Sequence, residues 1–325
     1  MTTRLHPLPR LDLPRPPDAL PLGGSAHVWW IAPQGVPAAD RTRLSAPRPI
    51  LPGLPADRPL VMGILNVTPD SFSDGGRLDG IPGAVVRARQ MVAEGADILD
   101  IGGESTRPGA VEVPVTEEIA RTAPVIRALR EAGVETPVSI DTRKAGVAEA
   151  AIAAGADLVN DVSALTWDPG LARVTAEAGV PICLMHAQGT PQTMQADPRY
   201  GDVLIEVYDW LAARIDHAVA QGIAPERIIT DPGIGFGKTL RHNLTLLQGL
   251  SLFHSLGAPI LLGASRKRFI GTLSGVDEAA RRMPGSVAVA LHAAAQGAQI
   301  LRVHDVAETV QALALWRALT SEAEL

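Results

Sequence analysis

From residue 60 onward the chain alternates two patterns. Short runs dense in aliphatic and β-branched residues, over 60–67, 97–101, 137–141, 157–161, 180–186, 227–231, 259–264 and 299–304, read as strands. Longer Ala-rich stretches separate them, over 82–94, 116–132, 144–154, 168–178, 202–221, 241–256, 277–296 and 305–319, and these read as helices. The second is expected to be interrupted near Pro124. Three helix ends repeat one device: Gly95-Ala96-Asp97-Ile98, Gly155-Ala156-Asp157-Leu158 and Gly297-Ala298-Gln299-Ile300. A glycine closes the helix in a left-handed cap, and a buried parallel strand follows. Eight βα units over residues 60–325 predict an α/β fold, a closed (β/α)8 TIM barrel, which typically takes about 250 residues. An open, doubly wound sheet would need fewer strands and a switch point.

Residues 1–59 follow a different rule. They hold 13 of the 27 prolines, so no long helix can form there. Their one strand-like stretch, 26–32, contains Trp29-Trp30 and is expected to pack on the main body. The division predicted is a Pro-rich N-terminal arm, 1–59, partly extended, and a catalytic barrel, 60–325.

Composition narrows the class. Hydrophobic residues make up 46% but aromatics only 3%, so the core must be aliphatic. A net charge of −6 argues against a general nucleic-acid binder, although an anionic small substrate remains compatible with a locally basic site. The single cysteine, Cys183, lies in an apolar run and has no partner for an intramolecular disulfide. With no apolar run of membrane-spanning length and no apolar signal core, the expectation is a cytoplasmic protein without a membrane partner.

In a (β/α)8 barrel the chemistry gathers at the C-terminal ends of the strands. Those positions read Asn66, Asp100, Asp141, Asn160, His186, Asp231, Ser265-Arg266-Lys267, and Arg302 with His304. A single Asp or Asn there could simply cap the next helix. The whole set, with the poor caps Lys267, Arg302 and His304, points to a shared site. Asp141, Asn160 and Asp231 suit a polar heterocycle, because a carboxylate can accept two parallel N–H bonds from a guanidine-like edge. Lys267, Arg302 and His304 suit a phosphate-type anion. Arg302 and His304, two apart on a strand, face the same way. Two Gly-rich loops, 66–76 and 102–110, have the composition of active-site lids.

Other patterns carry less. The stretch 235–239, Gly-Phe-Gly-Lys-Thr, resembles the end of a phosphate-binding P-loop, but the required first glycine is Pro232. No cysteine cluster or helical His pair offers a zinc site, and His186 reads as a hydrogen-bonded histidine at the barrel mouth. Met185 reads as packing that can pad a planar ring.

The motifs together resemble one family. The run Met62-Gly63-Ile64-Leu65-Asn66-Val67-Thr68-Pro69-Asp70-Ser71-Phe72-Ser73-Asp74-Gly75-Gly76 is similar to the first signature of the dihydropteroate synthases, and Asp100-Ile101-Gly102-Gly103-Glu104-Ser105-Thr106-Arg107-Pro108-Gly109 to the second. Ser139-Ile140-Asp141-Thr142, Asn160-Asp161-Val162-Ser163, the 231–238 run, Ser265-Arg266-Lys267 and Arg302-Val303-His304 follow in the family's order. The resemblance covers about 60–320. It implies condensation of 7,8-dihydropterin-6-ylmethyl diphosphate with 4-aminobenzoate to 7,8-dihydropteroate and diphosphate, in folate biosynthesis. It also implies that Asp141, Asn160, Asp231 and Lys267 hold the pterin, with Thr106 and Met185 beside it. Asn66 would help bind Mg²⁺ near the diphosphate, with Arg302 and His304 on its oxygens. Thr106, Arg107, Pro108, Phe236 and Ser265 would border the aminobenzoate. A homodimer and competition by sulfonamides follow from the same resemblance. One local difference from some members is Arg268, where a small residue can occur. Two rivals share the pterin-reading residues: a methyltetrahydrofolate methyltransferase and a non-catalytic pterin-binding paralogue. The first would not need Arg302-Val303-His304 or the Thr106-Arg107-Pro108 loop, and the second would be expected to lose part of the anion or lid set, all of which this chain keeps.

Overall fold

The computed structural model describes residues 4–67, 80–107 and 109–321. In the arm, β1 (Leu20–Pro21) pairs antiparallel with β2 (Trp29–Trp30), and α1 (Ala38–Ser45) follows Pro37. The barrel strands are β3 (Leu60–Asn66), β4 (Ile98–Gly102), β5 (Val138–Asp141), β6 (Leu158–Asp161), β7 (Ile182–Met185), β8 (Ile228–Asp231), β9 (Leu261–Leu262) and β10 (Ile300–Val303). All are parallel. They run in chain order from β3 to β8, with β10 between β3 and β9. A parallel bridge from Thr230 to Ile260 joins β8 to β9 and closes the ring.

The helices are α2 (Gly80–Ala93), α3 (Val115–Glu131), α4 (Ala145–Ala153), α5 (Gly170–Ala178), α6 (Val203–Ala220), α7 (Leu240–Gln248), α8 (Arg268–Ser274), α9 (Met283–Ala295) and α10 (Val306–Leu319). Three local expectations change. Helix α3 runs through Pro124 without a break, because Thr122, Ala123, Val125, Ile126 and Leu129 bury its inner face and outweigh one lost hydrogen bond. The segment 241–256 divides at Gly249 into α7 and a 3₁₀ turn, Leu250–Leu256. The segment 277–296 begins as a 3₁₀ turn, Ala279–Arg282, and an additional helix, α8, precedes it. Gly271 inside α8 dilutes its helical pattern in the sequence.

The repeated helix-end device has a clear use. Gly95, Gly155 and Gly297 all hold positive φ (100°, 111° and 84°). The side chain two residues later then turns back to the strand before it. Asp97 accepts from Val61 N–H, Asp157 from Val138 N–H and Gln299 from Ile260 N–H, each at 2.8 Å. Arg58 and Arg130 neutralise the two carboxylates.

Side-chain alternation divides the barrel interior into an apolar floor and a polar mouth. Leu60, Met62, Ile98, Leu158, Cys183, Ile229, Leu261 and Ile300 form the buried floor. Ile50, with Leu51 and Leu54 beside it, packs against this cluster and plugs the end opposite the mouth. Leu22, Val28, Trp30 and Leu44 make a second small core, against which Trp316 of α10 packs, so the tryptophan stretch does lie on the main body. Arg48 is the arm's buried anchor. It donates to His254 Nδ1 and to the carbonyls of Ala258 and His254 at 2.8–2.9 Å. Because His254 Nε2 donates to Gln296 O, its Nδ1 is free to accept. Arg48→Ala leaves these acceptors buried and unpaired, and is expected to lower stability by about 2–4 kcal/mol. Since the anchor lies at the closed end, kcat/KM should stay within twofold. Denaturant unfolding with steady-state kinetics checks both, and lost activity at full stability would contradict this role. Among the described residues, no helix is long and apolar enough to cross a membrane.

Candidate active site

Two residues above the floor, the same alternation turns polar. Asn66, Asp100, Asn160, Met185, Asp231, Arg302 and His304 share the inward parity of the floor residues on their strands, and Asp141, whose strand supplies no floor residue, pairs in register with Asn160. The centre is a guanidinium between two carboxylates. Arg302 Nε donates to Asp100 Oδ2 and its Nη2 to Asp141 Oδ2, each at 2.6 Å. Asn160 Nδ2 reaches Asp100 at 3.4 Å. Burial pushes the Asp141 carboxyl up, to about 7, against the pull of Arg302 and with help from the Asp100 charge. Arg302 is raised above its ordinary value, since these carboxylates outweigh its burial.

The second group comes from β8 and the turn after β9. Asp231 Oδ1 accepts from Gly233 N–H at 2.7 Å. Burial raises the Asp231 carboxyl, with Lys267 opposing. Lys267 donates to Ile234 O and holds its Nζ 4.5 Å from the Phe236 ring centroid. Burial lowers its ammonium to about 8, with Asp231 opposing. The turn that presents it is strained: Arg266 has φ 58°, fixed by its ion pair with Asp305 and by Ser286 Oγ accepting from its N–H. Arg268 is the exposed first residue of α8, next to Lys267.

His304 lies across the mouth. Its N–H donates to Ser265 Oγ at 3.2 Å, and its Nδ1 is 3.0 Å from the same hydroxyl. Burial, then Arg266, Arg302, Arg107 and Lys267, depress it to about 3. The imidazole is therefore neutral at neutral pH, within the field of four cations. The contribution of Arg107 places that exposed side chain, on the loop after β4, in the same field; Thr106 is half-buried beside it. Asn66 Oδ1 points over Gly102: a side chain at Gly102 would come within 3.7 Å of it and of Asp141 Oδ2. Met185 is buried against Gly233. Pro108 and the part of the first loop over 68–79 lie outside the described residues.

A model of pterin binding enzymes matches residues 62–304. A dihydropteroate synthase of Synechocystis sp. is 50% identical over 264 residues, 80% of this chain and 91% of the relative. The chain belongs to the dihydropteroate synthase family. Solved structures agree. A Xanthomonas albilineans dihydropteroate synthase with 4-aminobenzoic acid superposes with TM-score 0.77 at 50% identity, covering 82% of this chain and 95% of that one. A Yersinia pestis dihydropteroate synthase in a sulfonamide drug complex gives 0.78 at 48% identity, covering 82% and 97%. The activity is that of a dihydropteroate synthase, a transferase of folate biosynthesis.

In this dihydropteroate synthase the strand-end residues picked from the sequence do converge. His186 is hydrogen-bonded, as its sequence context suggested: Lys238 Nζ sits 2.8 Å from its Nδ1, and Trp210 meets its ring edge-on. Lys238 itself is buried, also donating to Phe236 O at 3.0 Å, and Thr239 caps α7. The failed P-loop match thus ends in a pin for the 232–238 turn. Asp100 has a larger part than a strand-end position implied, as the second carboxylate on Arg302.

Proposed function

We propose that this dihydropteroate synthase works by departure of diphosphate ahead of amine attack. The observation that carries this reading is the charge balance of the mouth. On one wall two buried carboxylates, Asp100 and Asp141, share the Arg302 guanidinium, a local surplus of negative charge, while Asp231 on β8 is opposed by Lys267. When the bond between the methylene carbon and the diphosphate oxygen breaks, the electron pair leaves with oxygen. The positive charge left on the pterin methylene is stabilised by this surplus. The arylamine lone pair then forms the C–N bond, and its proton passes to solvent. No covalent enzyme intermediate is needed. Cys183 lies in the floor with its thiol pushed up by burial, and the Ser265 hydroxyl is engaged with His304.

In this reading Asp141, Asn160, Asp231 and Lys267 hold the pterin, with Thr106 and Met185 beside it. Thr106, Arg107, Pro108, Phe236 and Ser265 border the aminobenzoate. The Xanthomonas and Yersinia complexes support an aminobenzoate site that sulfonamides also enter. Arg302 meets the diphosphate with the edge not taken by Asp100 and Asp141, and neutral His304 donates one N–H to it. The donor set fits Mg²⁺ as a partner of the substrate. Among the described residues there is no three-residue His, Cys, Asp or Glu cage, but one amide oxygen, Asn66 Oδ1, faces the mouth. Magnesium commonly takes one or two protein oxygens and fills its shell from phosphate and water. Bound there, it would neutralise charge on the diphosphate. A cytoplasmic homodimer completes the proposal.

Positional isotope exchange tests the order of events. With ¹⁸O in the bridging position of the pterin diphosphate and aminobenzoate withheld or scarce, label should migrate to non-bridging oxygens. Turnover strictly first order in amine, with no migration, would rule out the separated cation.

A further inference from the structure

Behind the mouth, a buried set of charges fastens the loop that carries Thr106 and Arg107, and the reaction does not use it. Glu104 accepts from Val113 N–H at 3.1 Å, so one carboxylate joins both ends of the 104–113 segment. It also accepts from Arg143 Nη2 at 3.1 Å and Lys144 Nζ at 3.0 Å. Lys144 donates further to Val113 O and, at 2.7 Å, to Glu118 Oε2 on α3. Glu118 Oε1 accepts from Thr142 Oγ at 2.7 Å. The Arg143 guanidinium lies 3.6 Å from the centroid of the Trp167 ring. At the tip, the ties among the described residues are neutral: Gly109 N–H donates to Pro191 O at 2.9 Å, and Gln192 Nε2 to Ala110 O at 2.6 Å.

Two features show what this set does. Its charges cancel, two carboxylates against two cations, so the set adds no net charge behind the mouth. It also bridges two segments that matter separately. Glu104 stands two residues before Thr106, and Lys144 three after Asp141. We propose that Glu104 is a positioning residue for aminobenzoate: its pairing with Lys144 fixes the 104–113 loop relative to Asp141, and so the arylamine relative to the pterin. Buried ionic groups contribute little net stability but can specify one arrangement, which is the use made of them here. The inference rests on the reading that Thr106 and Arg107 border the aminobenzoate.

The test compares two glutamates on one ammonium. Glu104→Gln keeps the volume and an acceptor for Val113 N–H, while Lys144 retains Glu118. It should raise the aminobenzoate KM about tenfold, the equivalent of one lost charge-assisted hydrogen bond, with kcat and the pterin diphosphate KM within twofold. Glu118→Gln removes the partner that lies on a helix rather than on the loop. It should lower the thermal midpoint and leave the aminobenzoate KM within twofold. If Glu104→Gln does not fold, Glu104→Asp retains the charge and shortens the reach by one methylene, with the same KM shift expected. An unchanged aminobenzoate KM in the Glu104 variant overturns the proposal, as do equal KM rises in both glutamate variants that track their midpoints. Arg107→Ala separates the underlying reading. If it leaves the aminobenzoate KM unchanged, the assignment of the loop falls, and the inference with it. If it raises that KM while the Glu104 variant does not, only the inference falls.

Discussion

Arg302→Ala is expected to lower kcat/KM by at least about a thousandfold, because the wild-type guanidinium is the shared counter-charge of Asp100 and Asp141. Asp100 is fully buried and Asp141 nearly so, and among the described residues neither has another cation within ion-pair distance. With the guanidinium gone, one of them must take up a proton. The Asp141 carboxyl already stands near 7 with Arg302 present, so without it Asp141 is the one protonated at neutral pH. A neutral Asp141 cannot accept two N–H bonds from the pterin, and the contact to the leaving diphosphate goes as well. Arg302→Lys keeps a charge but cannot fork between carboxylates on two strands, and should lose about a hundredfold. Steady-state kinetics with both substrates varied decides the matter. Activity within tenfold of the parent for the alanine variant would mean that the carboxylates are held some other way.

Gly233→Ala should be nearly as damaging, through geometry alone. At φ +68° its added methyl would sit 1.9 Å from the His186 carbonyl oxygen, a backbone atom that has nowhere to go. The 232–236 turn must lift away instead. That move removes the N–H that fixes Asp231 Oδ1 and the Ile234 carbonyl that receives Lys267. The expected result is a stability loss of about 3 kcal/mol and roughly a hundredfold lower kcat/KM, felt mostly in pterin binding. Calorimetric titration with a pterin and thermal unfolding check the two effects. Parental values for both would show that the turn has slack the structure does not display.

What could be read in the sequence follows from what is periodic. Strand parity is periodic, so Asp141, Asn160, Asp231 and Arg302 could be assigned to one site from spacing and strand-end position. The glycine-led helix ends are also periodic, and their positive φ values were expected. Contacts across the barrel have no such signature. Nothing local to Arg302 distinguishes a residue waiting for an anion from one already held by Asp100 and Asp141, which lie about two hundred and one hundred and sixty positions earlier. Lys238 shows the same limit: a motif test could reject the P-loop but could not reveal His186 as its neighbour. Glu104 and Lys144 are forty residues apart, and each alone reads as a surface charge. Pro124 errs the other way, since a local rule predicted a break that tertiary burial prevents.

The three side chains that reach back from the helix ends to a neighbouring strand have a consequence at the opposite end of the barrel. A slip of one position in β4, β5 or β10 would turn Asp100, Asp141 or Arg302 out toward the helices and swing Ile101, Ile140 or Val303 into the mouth. Asp97, Asp157 and Gln299 each pin two adjacent strands to one another before either has reached the chemistry. Far from any substrate, they act as the alignment marks from which the polarity of the mouth is counted.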